Sequence, residues 1–273
     1  MKTTCEAIVI GGGVMGASIL SNLAATGVTN TILLEKSTIG AGSTGRSSGA
    51  IRMHYSTQVN ASLAHESLKV FANFSDLVGG DVGFVNTGYM VFAPPEATQG
   101  FRENISMQQS VGISTREIDH DEAAELAPAF KIAEGEQVAW EEDSGHADPS
   151  ATALAYINHA RACGATIHLD TPVIDIGISE SGSHKVKTEK ACFESNTVII
   201  ATGPWTSGIL KNVGISLPLL PTRHEVFLIK RNQTKLPTHP GGGDMTNLIY
   251  FRPEGHDLTL VGNGNHEETA NPD

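Results

Sequence analysis

The feature that most constrains this chain is a glycine turn joining a buried strand to a helix. Ala7-Ile8-Val9-Ile10 shows no polar alternation, as expected of a parallel strand covered on both faces. Gly11-Gly12-Gly13-Val14-Met15-Gly16 follows at once and fits G-x-G-x-x-G. Met15, Ile19, Leu20 and Leu23 then recur at helical spacing as far as Gly27, the expected C-cap. Thr31 to Leu34 reads as a second buried strand and ends in Glu35, 19 residues beyond Gly16.

That order of parts is the dinucleotide-binding βαβ unit. Gly11 permits the tight turn, Gly13 lets backbone approach a pyrophosphate, and Gly16 lets helix pack on strand. Free N–H groups and a partial positive charge at the helix N-terminus, including Val14 and Met15, suit phosphate. Glu35 can accept hydrogen bonds from ribose hydroxyls, and as an anion it repels a 2′-phosphate, so NADP is disfavoured. FAD and NAD both remain open at this point. A glycine motif alone also occurs as a turn without ligand; strand, helix and acid together argue against that here.

The loop after Glu35 and Lys36 favours FAD. Gly40-Ala41-Gly42-Ser43-Thr44-Gly45-Arg46-Ser47-Ser48-Gly49 is long, small and polar, where a nicotinamide-binding domain proceeds to another helix and strand. It suits a segment that returns to wrap a larger cofactor, with Ser43, Thr44, Arg46, Ser47 and Ser48 as ligands. The alternative is a flexible surface linker.

With these residues the chain resembles the FAD-dependent amine oxidoreductases of the D-amino acid oxidase type, which include glycine oxidase, sarcosine oxidase and dimethylglycine dehydrogenase. It is most similar to the branch around the sarcosine oxidase β subunit and related proline dehydrogenases. The same order continues through Ile51-Arg52-Met53-His54-Tyr55, Asn86-Thr87-Gly88-Tyr89-Met90, Ser144-Gly145-His146-Ala147-Asp148-Pro149 and Ala201-Thr202-Gly203-Pro204-Trp205. The resemblance implies a Rossmann-like α/β FAD domain with a central parallel sheet, of the glutathione-reductase type. A smaller α+β substrate domain with a largely antiparallel sheet is interleaved with it. The expected boundaries are 1–80 and 145–215 for FAD, and 81–144 and 216–273 for substrate. It also implies that Ala201, Thr202, Gly203 and Trp205 return to the flavin, while backbone at Val173 meets the adenine side. Relatives of this kind continue past the position of Asp273, so a truncated reading frame or gene fragment is expected, with a natural short form as the alternative.

The implied chemistry is dehydrogenation of a small amino acid or N-methyl amino acid, such as sarcosine, glycine or proline, to an imine, with hydride passing to flavin N5. Arg52 is the best carboxylate clamp, because a guanidinium forks onto a carboxylate. A salt bridge in solvent or a contact with flavin phosphate are its alternatives. His54 could be a flavin neighbour or attachment point, but its spacing from Arg52 favours a surface position. Tyr250 and Arg252 alternate on one strand and are pocket candidates of second rank, as are residues of Arg223-His224-Glu225. Oxygen-using sarcosine oxidases carry a lysine over the flavin on the strand that here reads Leu258-Thr259-Leu260-Val261-Gly262. Its absence favours a dehydrogenase that hands electrons to another acceptor.

Between these motifs, periodicity predicts helices over Thr57–Val78, Glu96–Val111, Asp119–Leu126, Pro149–Cys163 and from Pro204. Strands are predicted at Thr166–Leu169, Val173–Ile178, His184–Thr188, Thr197–Ile200, Pro218–Lys230, Leu248–Arg252 and Leu258–Gly262, and a hairpin over Val82–Phe92 turns at Asn86-Thr87-Gly88. Eighteen Lys and Arg against 30 Asp and Glu give a net charge of −12, which speaks against a nucleic-acid partner. The expected partners are an amino-acid substrate and an electron acceptor, oxygen or a redox protein, with membership of a larger complex open. Cys5, Cys163 and Cys192 are too scattered for a disulfide framework or zinc site, so a cytoplasmic setting without metal is expected. The glycines at 11–16 interrupt the most apolar stretch, and no membrane span is predicted. An NAD-linked dehydrogenase and a flavin-carrying subunit inactive alone are the competing functions.

Overall fold

A computed structural model describes residues 2–128, 130–180, 182–232, 234, 236–264 and 267–273. Asn265 and His266, at the start of the polar tail, lie outside the described residues. The first half runs β1 (Lys2–Thr4), β2 (Ala7–Ile10), α1 (Val14–Ala25), β3 (Thr31–Leu34), β4 (Ala50–Ile51), α2 (Gln58–Ala72), α3 (Phe74–Leu77), β5 (Val85–Asn86), β6 (Tyr89–Ala93), α4 (Thr98–Ser110), β7 (Thr115–Ile118) and α5 (His120–Leu126). The second half runs β8 (Gln137–Glu141), β9 (Gly145–His146), α6 (Pro149–Ala162), β10 (Thr166–His168), β11 (Val173–Ile178), β12 (His184–Thr188), β13 (Cys192–Ser195) and β14 (Thr197–Ile200). It continues with α7 (Thr206–Lys211), β15 (Val226–Lys230), β16 (Gly241–Asp244), β17 (Ile249–Glu254) and β18 (Leu258–Asn263).

The glycine turn sits on a four-stranded parallel sheet of order β10-β3-β2-β14. All four residues of β2 and of β3 are buried, which explains their unbroken apolar runs. One face packs Val9 and Leu33 against Ala17, Leu20, Ala153 and Ile157 of α1 and α6. On the other, Ile8, Ile10, Ile32 and Leu34 meet Ile176, Val186 and Phe193 of a second sheet, β1-β13-β12-β11. Asp148 caps α6 by accepting from the Ser150 and Ala151 N–H groups, with Pro149 at its first position, as the sequence predicts.

A seven-stranded sheet, β15-β18-β17-β16-β6-β8-β7, carries the other half of the structure. Along β6, Met90 and Phe92 face α5, whereas Tyr89, Val91 and Ala93 face α4. A three-stranded sheet, β4-β9-β5, joins residues 50–51, 145–146 and 85–86.

Four expectations are corrected. The hairpin over Val82–Phe92 does not form. The chain turns at Gly88, but β5 pairs with β9 while β6 pairs with β8 and β16. The Trp140 ring lies where a side chain at residue 88 would stand, so only glycine fits this turn. The helix expected over Thr57–Val78 is split at Asn73, whose side chain donates to the Lys69 carbonyl at 2.9 Å and competes with the helix. Of Pro218–Lys230 only Val226–Lys230 is strand, because prolines at 218 and 221 remove ladder donors. The helix expected from Pro204 begins as a single 3₁₀ turn, Gly203–Trp205, before α7.

Candidate functional site

The carboxyl ends of β3, β2 and β14 lie side by side, and each leads into residues singled out by the sequence: Glu35, Gly11 and Ala201. Gly11 has φ 108, the left-handed region that favours glycine, and a Cβ there would overlap the Ala201 carbonyl. Gly16 brings α1 so close that its own Cβ would overlap the Gly11 carbonyl oxygen. Val173 begins β11 two residues after Thr171, whose N–H donates to the Glu35 carbonyl at 2.8 Å, and it packs on the sheet face that meets the second sheet.

The helix end is left open. Gly13 caps α1 with no side-chain hydrogen bond, the first turn carries no acid, and the first intrahelical bond runs from the Ala17 N–H to the Gly13 carbonyl at 2.9 Å. Apart from the Val14 N–H, which the Thr44 hydroxyl takes, the dipole and the N–H groups ahead of that bond are therefore available to an anion. Met15, 66% exposed, presents apolar surface beside them. The Glu35 carboxylate reaches the same place, accepting from the Gly12 N–H at 2.6 Å and the Ser37 N–H at 2.8 Å.

The loop after Glu35 folds back over this turn. The Gly40 N–H donates to the Gly12 carbonyl at 2.9 Å, and the Val14 N–H donates to the Thr44 hydroxyl at 2.9 Å. A Cβ on Gly13 would meet little besides the Thr44 hydroxyl at 3.1 Å, so this part of the cradle is open enough for a ligand. Lys36 lies with its ammonium 3.9 Å from the centre of the Trp205 ring, and Gly42 sits beneath the same ring. Thr202 is bonded to Thr206 at 3.0 Å, Gly203 turns with φ 53, Ser47 accepts from the Gly49 N–H at 3.1 Å, and Arg46 and Ser43 are exposed. An open helix end, a carboxylate below it and a small-residue loop above it fit the pyrophosphate and ribose of a dinucleotide.

Arg52 follows β4 and is half-buried among aromatic rings. Its guanidinium donates to the His54 carbonyl at 2.6 Å and lies 4.7 Å from the Tyr55 ring centre and 6.0 Å from that of Tyr89. Such stacking fixes a guanidinium while leaving other N–H groups for a ligand. The three glycines of β16 make room: a Cβ at Gly241 or Gly243 would press on Tyr89, and one at Gly242 on Phe251. Tyr250 lies flat over Gly262. Burial pushes the Tyr89 hydroxyl up to about 12, with the Arg52 charge opposing.

His54 is not the surface residue that its spacing suggested. Its side chain is 7% exposed, with Nδ1 3.8 Å from a fully buried Glu141 oxygen and Nε2 3.2 Å from Asn104. The Arg52 guanidinium holds the His54 carbonyl, and the imidazole is turned inward toward Glu141 and Asn104. Arg252 is buried and bound by protein: it donates to the Ser48 carbonyl and, at 2.8 Å, to the Pro253 carbonyl, and pairs with Glu254 at 2.5 Å. It thereby ties β17 to the end of the loop and borders a cleft of about 420 Å³ with His146, Asp148 and Glu254. Neither spacing nor periodicity marks Tyr89 as a partner of Arg52, or Glu141 as a partner of Met53 and His54. Glu141 has only one signal, an acid ending an apolar strand. Among the described residues no group of His, Cys, Asp or Glu is placed to hold a metal ion, and no helix is long and apolar enough to cross a membrane.

The family model for FAD-dependent oxidoreductases, known as DAO, matches residues 6–273. The chain belongs to that family. The cofactor of the DAO family is FAD, which removes the nicotinamide alternative. Among curated proteins this DAO chain is 27% identical over 261 residues to human mitochondrial dimethylglycine dehydrogenase, covering 93% of the chain but 30% of that protein. It is 28% identical to glycine oxidase of Bacillus licheniformis, over 84% of the chain and 62% of the relative. Among solved structures, L-proline dehydrogenase from P. horikoshii superposes with a TM-score of 0.88 at 26% identity, over all of this chain and 72% of that one. The chain thus spans about 30% of the first curated relative it matches. FAD would be held by the helix end, Glu35 and the 40–49 loop. Glu35→Ala is expected to weaken FAD binding about 10- to 100-fold, the loss of charge-assisted hydrogen bonds worth about 1.5–3 kcal/mol. Quenching of flavin fluorescence in a titration measures this, and unchanged affinity would contradict the ribose assignment.

Proposed function

We propose that the protein dehydrogenates a small amino acid or N-methyl amino acid at the C–H next to nitrogen, giving an imine that water hydrolyses. The observation that carries this reading is Arg52, stacked between tyrosines and presented as a fixed fork for a substrate carboxylate. FAD, when bound, supplies the hydride acceptor at N5. In this reading residues 1–80 and 145–215 hold the cofactor, and 81–144 and 216–273 form the substrate side. Arg52 binds and orients the carboxylate, and Tyr55 and Tyr89 present ring faces to it that limit water. Relatives named for dimethylglycine, glycine and L-proline support the substrate class.

The electron acceptor proposed is a redox partner rather than oxygen. β18 carries no lysine; its Thr259 is buried and bonded to His239 Nε2 at 2.8 Å. Mixing the FAD-loaded protein anaerobically with sarcosine, dimethylglycine, glycine or proline tests the function. Bleaching of the flavin absorbance by one of them is the expected result, and no bleaching by any would overturn it. Admitting air should then reoxidise the flavin slowly, over minutes, whereas reoxidation within a turnover would reject the dehydrogenase reading.

A further inference from the structure

Against the segment that carries Arg52 lie two ionisable side chains that the reaction above leaves idle. Glu141 ends β8, opposite Tyr89 of β6 and Thr115 of β7, and is 0% exposed. Its Oε2 accepts from the Met53 N–H at 2.9 Å and the Ser144 hydroxyl at 2.8 Å, so it grips the segment that carries Arg52. Its Oε1 has no hydrogen-bond partner and faces His54 Nδ1, also without one, across 3.8 Å. His54 Nε2 lies 3.2 Å from the side-chain amide of Asn104. A buried carboxylate oxygen left unbonded is costly, and packing alone gives no reason for it.

The charged and titratable groups around this pair are few. Arg52, Tyr55 and Tyr89 approach from the 52–55 segment and β6, while α4 contributes only the neutral Asn104 and Gln108, the latter donating to the Tyr55 carbonyl at 3.0 Å. β7 contributes Thr115. Burial holds the Glu141 carboxyl above the usual range, opposed by the Met53 N–H, the Ser144 hydroxyl and the Arg52 charge. Burial, then the Arg52 charge, pushes the His54 imidazole down to about 4, so it is neutral at neutral pH.

We propose that Glu141 is a positioning residue that takes up a proton when a substrate carboxylate docks on Arg52. Bringing a second carboxylate to the same guanidinium raises the cost of keeping the nearby, buried Glu141 ionised in a poorly solvated site. The arriving carboxylate draws on the Arg52 charge that stabilised the Glu141 anion. A proton from water then settles on Oε1, the oxygen that accepts no hydrogen bond, while Oε2 keeps its grip on Met53. Docking of an anion is thereby converted into exchange of one buried anion for another.

This rests on the reading of Arg52 as the carboxylate clamp, and the test separates the two. Acetate is titrated calorimetrically into the FAD-loaded protein between pH 6 and 9, in buffers of differing ionisation enthalpy; acetate itself does not titrate there. The dissociation constant is expected to rise with pH, approaching tenfold per unit, with net uptake of up to one proton. Glu141→Gln keeps the shape and removes the titration, so its acetate affinity should be flat with pH and bring no proton. If that variant does not fold, Ser144→Ala, which removes a hydrogen bond favouring the anion, should move the pH-dependent window upward. Acetate binding that needs Arg52 but shows no pH dependence and no proton uptake in the wild type would overturn the inference and leave the clamp standing. The same slope in Glu141→Gln as in the wild type would also overturn it. Acetate that fails to bind, or binds equally to Arg52→Ala, would remove the clamp and the inference together.

Discussion

Gly16→Ala is expected to cost the protein its FAD and much of its stability. The new methyl group would overlap the Gly11 carbonyl oxygen and come within 3.4 Å of the Ala201 Cβ. All three groups belong to the buried meeting point of β2, α1 and the segment after β14, where backbone cannot yield cheaply. Overpacking in a flexible core costs about 1–3 kcal/mol, and contact with fixed backbone lies at or beyond the top of that range. Thermal unfolding should fall by several degrees or more, and the variant should be isolated colourless. Gly13→Ala separates the two effects. Its methyl group meets only the Thr44 hydroxyl, so the fold should hold while the pyrophosphate is kept at a distance. Gly13→Ala with wild-type FAD affinity would mean that the phosphates do not lie on this turn.

Arg52→Ala should lower kcat/KM for a carboxylated amine by about 10²–10³-fold, since two charge-assisted hydrogen bonds of about 1.5–3 kcal/mol each are lost without full additivity. FAD content should be unchanged. Arg52→Lys should recover little, because an ammonium cannot fork onto a carboxylate while stacking on Tyr55 and donating to the His54 carbonyl. An amine without a carboxylate should react equally, if poorly, with wild type and variant. A uniform loss on both kinds of amine would instead mark Arg52 as a structural residue.

Much of the cofactor half was legible because it is local. β2, the glycine turn, α1, β3 and Glu35 follow one another within 35 residues, and each part constrains the next through a period or a special backbone conformation. The return of the 40–49 loop was readable from its small residues, and Asp148-Pro149 announced α6. The substrate half was less legible because its contacts are distant in sequence. Gly241-Gly242-Gly243 looks like a loop, yet it forms β16, where the missing side chains admit the rings of Tyr89 and Phe251. His54 looked exposed because spacing along a chain that is not a regular strand says nothing about direction. Glu141 was hard to read, since an acid ending an apolar strand carries no mark of burial and its partners, Met53 and His54, lie almost ninety residues away.

The helix end at Gly13–Gly16 and the 40–49 loop are expected to close together on FAD. Amide hydrogen exchange with and without FAD tests it most directly, resolved to the segments 11–17 and 40–49. FAD is expected to slow exchange in both segments together, with little change in the exposed face of α4. Protection of the glycine turn without the loop, or of neither while the protein is yellow, would contradict it.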